Sequence, residues 1–230
     1  MSAESAPASF RWPLGSRAQL LHALLLAALL LAVLSLVQLW AALDEGFDTD
    51  RPSGRLFALL AVAVLLQAGG VIGFGLLRWG RTSLPALGWK SAHLLADVGF
   101  GLLGFGLLAA VVLALSLALG SSVEETVASW LHQSPGTRVL CACIGLLAAF
   151  NEESLFRGYL QPGLVARFGA AAGVLLGALV FALYHGNLAP IPLLGKGLIG
   201  LVLGGLALRR KSLVPSAVAH FLLWAVMGFA

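Results

Sequence analysis

The ten residues NEESLFRGYL, Asn151 to Leu160, decide how this chain is read. They set Glu152, Glu153 and Arg157 inside one of the longest apolar regions of a very apolar protein. Each such charge costs about 2.5–3.5 kcal/mol at the centre of a membrane helix, so three of them close together call for a reason.

The surroundings are those of a membrane protein. Of the 230 residues, 60% are hydrophobic and 10% charged, which excludes an ordinary soluble domain. The mean hydropathy is +0.96. The formal charge of +4 sits in short connecting segments with no basic stripe, so a nucleic-acid partner is not expected. Apolar runs of near-spanning length occur at 18–43, 56–77, 95–119, 139–160, 170–185, 188–208 and 213–230. This predicts an all-α, polytopic membrane helical bundle of about seven transmembrane helices. Between the second and third runs, RWGRTSLPALGWKSAH, with Trp79 and Trp89, predicts a short segment lying at headgroup level.

Basic residues test the count, because Lys and Arg concentrate in cytoplasmic loops. Arg11 and Arg17 precede the first run. Arg78, Arg81 and Lys90 follow the second, Arg167 the fourth, and Arg209, Arg210 and Lys211 the sixth. The intervening loops are acidic, with Asp44, Glu45, Asp48 and Asp50 in one and Glu124 and Glu125 in another. The alternation predicts a multi-pass protein of the cell membrane with its N-terminus in the cytoplasm. Residues 1–17 form a cytoplasmic segment, 18–137 the N-terminal helices and 138–230 a core carrying the chemistry. Cys141 and Cys143, two residues apart on a helix, point about 200° apart and can neither pair nor share a metal.

Glu153 and Arg157, four residues apart, face the same way and predict an ion pair. Glu152, about 100° round the helix, is left without a partner on its own helix. It becomes either a protonated donor or a general base. His185, with Phe181 one turn before it and Asn187 beyond, and His220, sharing a face with Trp224, lie in two other runs. One Glu and two His from three spans suffice to position and activate a water, directly or through a metal. Depth counts place Glu152 about 12 Å and His220 about 10 Å from the cytoplasmic surface, but His185 about 22 Å. His185 can join them only if its helix tilts, or starts below the surface after a turn at PGLVARFG.

The motifs EESLFR (152–157), FALYH (181–185) and HFLLW (220–224) resemble those of the CAAX prenyl endopeptidase and bacteriocin-processing family, also called Abi or type II CAAX proteases. The resemblance covers roughly 139–230. It implies an intramembrane endopeptidase acting near the cytoplasmic face, on a peptide or protein substrate that is prenylated or embedded among membrane lipids. Carried over, Glu152 activates water, His185 helps orient it, and His220 stabilises the oxyanion. Glu153 and Arg157 would be the supporting pair. No cofactor is expected. The family is often labelled metalloprotease, and a zinc-dependent version would use Glu152, His185 and His220. Trp224 departs from the family's Asn, exchanging a compact amide for a bulky indole with one N–H. The departure motivates an alternative function, a non-catalytic immunity or chaperone-like membrane protein that keeps the site for binding.

Overall fold

The computed structural model describes residues 11–43, 54–131 and 134–227. The acidic residues Asp44, Glu45, Asp48 and Asp50 lie outside the described residues. Among the described residues the chain is helical, without strands.

The first helix, α1 (Arg17–Leu43), is followed by α2 (Gly54–Gln67), which continues as a π-helical stretch, Ala68–Trp79. A single turn, α3 (Leu84–Leu87), leads to α4 (Leu94–Ala118) and the short α5 (Val123–Leu131). Next, α6 (Pro135–Glu152), a π-helical stretch (Glu153–Leu160) and α7 (Gln161–Phe168) form one unbroken rod. The chain ends with α8 (Ala170–Tyr184), α9 (Pro190–Arg210), and α10 (Val214–Leu222) with its π-helical continuation Leu223–Met227. Five helical segments have the length and apolarity to cross a membrane: Arg17–Val37, Ala58–Trp79, Leu94–Ala118, Pro135–Phe168 and Pro190–Arg210. The two other expected spans form shorter apolar helices, Ala170–Tyr184 and Val214–Val226.

The distribution of side chains is that of a protein in lipid. Leu95 and Leu103 are 88% and 73% exposed, whereas Gln19, Asn151, Glu153 and Ser216 are fully buried. Large exposed leucines cover the outside because hydrocarbon solvates them, and polar groups turn inward to find partners. Several of these polar groups donate to the backbone of a neighbouring helix. Gln19 Nε2 reaches the Tyr159 carbonyl at 2.7 Å, Asn151 Nδ2 that of Val64 at 2.9 Å, and Gln161 Nε2 that of Gly204 at 3.0 Å.

The rod differs from the expected helix ending near Leu160. It runs through Pro162 and Gly163 and stops at Gly169, whose φ of +84° is left-handed and suits glycine. Two features account for the widened stretch. Ser154 Oγ donates to the Phe150 carbonyl at 2.6 Å, competing with the α ladder, and Pro162 has no N–H to return to Gly158. The N–H of Gln161 bonds instead to the Phe156 carbonyl, five residues back.

The eight residues of α7 add about 12 Å to the rod and resolve the depth conflict. Since α8 turns back at Gly169 and runs antiparallel to the rod, it starts that much lower. A Cβ on Gly173 would meet Val165 at 2.6 Å, and Gly177 faces Gln161. Continuing this register upward sets Phe181 beside Arg157 and Tyr184 beside Glu152, so His185 arrives at the level of the glutamates.

The segment expected at headgroup level packs into the bundle. Leu87 is 2% exposed, and its carbonyl lies where a Cβ on Gly158 would stand, at 2.7 Å. The Gly88 carbonyl accepts from Leu213 N–H at 2.9 Å, and Trp89 Nε1 donates to Ser154 Oγ at 2.8 Å. Glu124 and Glu125 fall in the first turn of α5, where Ser122 and Glu125 form a reciprocal cap: each backbone N–H donates to the other's side chain, at 2.7 and 3.1 Å. Cys141 and Cys143 are both free, the first buried and the second exposed.

Candidate active site

The rod, α8 and α10 meet around the carboxylates of Glu152 and Glu153, which are 5% and 0% exposed. The two are handled differently. Glu153 Oε1 stands 3.1 Å from Arg157 Nη1, as the four-residue spacing predicts. The approach is a charge contact rather than an aligned hydrogen bond, since Nη1 has no hydrogen-bond acceptor. The Arg157 guanidinium also covers the Phe181 ring, 4.1 Å from its centre, and its Nη2 points to the Gly200 carbonyl at 3.5 Å. Three contacts on three helices hold this charge.

Glu152 has a partner that sequence reasoning missed. Tyr184, on α8, donates its hydroxyl to Glu152 Oε1 at 3.1 Å, while Oε2 is buried with no hydrogen bond. Oε2 of Glu153 is likewise without a hydrogen bond, but Glu153 has Arg157 as its counter-ion. Tyr184 precedes His185 directly in sequence, yet only the packing of α8 on the rod identifies its role. Its spacing from Glu152, 32 residues, carries no periodic signal.

His220 lies between the carboxylates. Its Nδ1 is 2.9 Å from Glu153 Oε1 and its Nε2 is 3.7 Å from Glu152 Oε2. The direct partner of His220 is thus the arginine-held glutamate, not the one expected to be free. A carboxylate only accepts, so Nδ1 carries the proton and Nε2 faces Glu152. His185 bonds through Nδ1 to the Phe181 carbonyl at 2.8 Å, which assigns that nitrogen a proton and leaves Nε2 as an acceptor. Phe181 is the hub: its ring centre is 4.8 Å from that of His185, 6.0 Å from His220 and 5.3 Å from Phe156.

Trp224 lies about two turns from Glu152 along the same face of α6. A Cβ on Gly145, seven residues before Glu152, would fall on the Trp224 Cβ, so the indole fits only because position 145 is glycine. Trp224 packs with the cluster of Cys141, Ile144 and Ala148. Asn187, beyond the end of α8, uses its Oδ1 to accept from Ala189 N–H at 3.1 Å.

The zinc set of Glu152, His185 and His220 is not gathered: among the described residues no three His, Cys, Asp or Glu side chains converge as metal ligands. His220 Nδ1 and His185 Nδ1 are engaged by Glu153 and by a backbone carbonyl.

Two further features border the site. A cavity of about 400 Å3 lies on the α7 side of Arg157, walled by Leu87, Leu208 and Leu213 and flanked by Lys90 and Lys211. It touches the site only through Arg157. Asp97 and Arg210 form a second embedded ion pair at 2.6 Å, with Ser91 on the other Asp97 oxygen at 2.7 Å. This pair ties the start of α4 to the end of α9.

Residues 134–226 match the family model described as type II CAAX prenyl endopeptidase Rce1-like. The match covers α6 through α10 and includes every residue of the site named above. No curated protein and no solved structure matches the chain. Residues 134–226 are thus similar to a membrane protease family, in agreement with the resemblance of the motifs.

Proposed function

We propose that this protein is a multi-pass endopeptidase of the cell membrane that hydrolyses a peptide bond with water activated by Glu152. The observation that carries the reading is the division of the two buried carboxylates. Glu153 has Arg157 and His220 on one oxygen, while Glu152 is held by Tyr184 through Oε1 and presents Oε2 without a hydrogen bond.

In this mechanism a water donates to Glu152 Oε2 and to the Nε2 acceptor of His185. As its oxygen adds to the scissile carbonyl carbon, the proton passes to Oε2 and the carbonyl π pair moves to oxygen. His220, fixed through Nδ1 by Glu153, faces the reacting centre with Nε2, which donates to the oxyanion only when the ring carries a proton on both nitrogens. The intermediate collapses by breaking the C–N bond, and Glu152 returns the proton to the leaving amine. Arg157 neutralises Glu153, so that the second carboxylate of the pair does not compete for the proton. The basic residues at the ends of the described helices, Arg17, Arg78, Arg167 and Arg210, support a reading with the N-terminus and the Arg157 cavity on the cytoplasmic side. The substrate is a peptide with a prenylated or membrane-embedded portion, a reading supported by the similarity to type II CAAX prenyl endopeptidases.

The test uses purified protein in detergent with internally quenched peptides bearing or lacking a farnesylated cysteine, and maps peptide termini in membranes. Wild type is expected to cleave, and Glu152→Gln, which keeps shape and removes the base, to lose at least about 10³-fold in kcat. Undiminished cleavage by Glu152→Gln would refute the reading.

A further inference from the structure

Lys196 is the one charge of the α9 interior that neither the motifs nor the proposed mechanism uses. It stands in the second turn of α9, where a lone charge marks function by default. The register of α9 on the rod shows what it faces. Gln161 bonds to the Gly204 carbonyl and Arg157 to the Gly200 carbonyl, each across 43 residues. The two helices therefore run parallel in step, with Gly204 against the rod, where an added Cβ would lie 2.7 Å from Gln161 Oε1, and Gly200 against α8, where one would lie 2.9 Å from Ala178 Cα. One turn higher, the same offset sets Lys196 opposite Glu153 and its neighbour Glu152. Helical side chains lean toward their N-terminus, so the lysine stem is directed up toward the level of Glu152 and His185.

The electrostatics agree with that placement: Lys196 and Glu152 each feel the other's charge. No ion pair closes between them, although Glu153, Asp97 and Glu152 all have cationic or imidazole neighbours at 3.7 Å or less. The Lys196 side chain is exposed at the bundle surface rather than packed in the core. An ammonium at the level of the general base is placed to meet a group bound beside it.

We propose that Lys196 donates to the oxyanion of the tetrahedral intermediate, supplying charge stabilisation that His220 alone does not. The proposal rests on the endopeptidase reading. One feature of this chain supports it. His220 Nδ1 is bound to Glu153, so in the neutral ring Nε2 carries no N–H, whereas an ammonium carries three. When water adds to the carbonyl carbon, the π pair becomes the oxyanion lone pair. Lys196 N–H donates to it without transferring its proton. On collapse the pair returns to the carbonyl, the C–N bond breaks, and the leaving nitrogen takes the proton held by Glu152.

The test compares Lys196→Met, Lys196→Gln and Lys196→Arg with wild type and Glu152→Gln on a farnesylated, internally quenched peptide. Lys196→Met and Lys196→Gln are expected to lower kcat by about 10²–10³-fold with KM within about threefold, because the interaction exists only in the transition state. Lys196→Arg is expected to recover at least about tenfold of that loss. A phosphinate analogue of the same peptide, carrying a fixed negative charge at the reacting centre, should bind wild type about 10²-fold more tightly than Lys196→Met. Unchanged kcat in both uncharged variants, or a rise in KM alone, overturns the oxyanion role while leaving the Glu152 mechanism intact. If Glu152→Gln still cleaves, the underlying reading fails instead.

Discussion

Removing the guanidinium of Arg157 should be the most damaging single change to the folded state. Its charge is 2% exposed and that of Glu153 is fully buried, so Arg157→Met leaves a buried carboxylate with only His220 beside it. Breaking a buried pair from one side costs about 3–5 kcal/mol. The Phe181 ring loses its cation and the Gly200 carbonyl its donor in the same step. For a chain of this length each kcal/mol shifts the midpoint by about 2–4 °C, so thermal unfolding in detergent, followed by intrinsic Trp fluorescence, should fall by on the order of 10 °C. The double variant Arg157→Met/Glu153→Gln removes both charges and should recover part of that loss, with a coupling of about 1–3 kcal/mol. Arg210→Met is the internal control. Arg210 is 25% exposed, and Ser91 still holds Asp97, so its effect should be smaller. A midpoint for Arg157→Met within about 1 °C of wild type, or singles that simply add in the double, would refute the assignment of Arg157 as counter-ion.

Gly145→Ala puts a methyl into the Trp224 side chain and should cost about 1–3 kcal/mol by overpacking, a loss relieved in Gly145→Ala/Trp224→Ala; equal stability of single and double variants would contradict the packing. The backbone and hydroxyl of Ser122 hold the Glu125 carboxyl below the usual carboxylate range. Because the folded value is the lower one, the cap contributes at neutral pH and is lost as pH falls through that depressed value. Amide protection in the first turn of α5 should fade over that range in wild type. In Glu125→Gln it should not depend on pH there, and identical profiles would show that the carboxylate does not hold the cap.

The membrane-bundle class, the Glu153–Arg157 pair and the candidate status of Glu152, His185 and His220 were all legible in sequence. Apolar run length, the four-residue spacing and the expense of a charge in lipid are local properties, and each can be counted along one chain. The tertiary structure decided what local counting could not reach. The rod runs to Phe168 because π-helical backbone absorbs Ser154 and Pro162, and that extension brings His185 level with the glutamates. Tyr184 on Glu152, Trp89 on Ser154, His220 on Glu153 and the rung that sets Lys196 opposite the carboxylates all depend on helix register. Register comes from glycines meeting side chains across helices, contacts between residues far apart in the chain, so no periodicity within one helix records it.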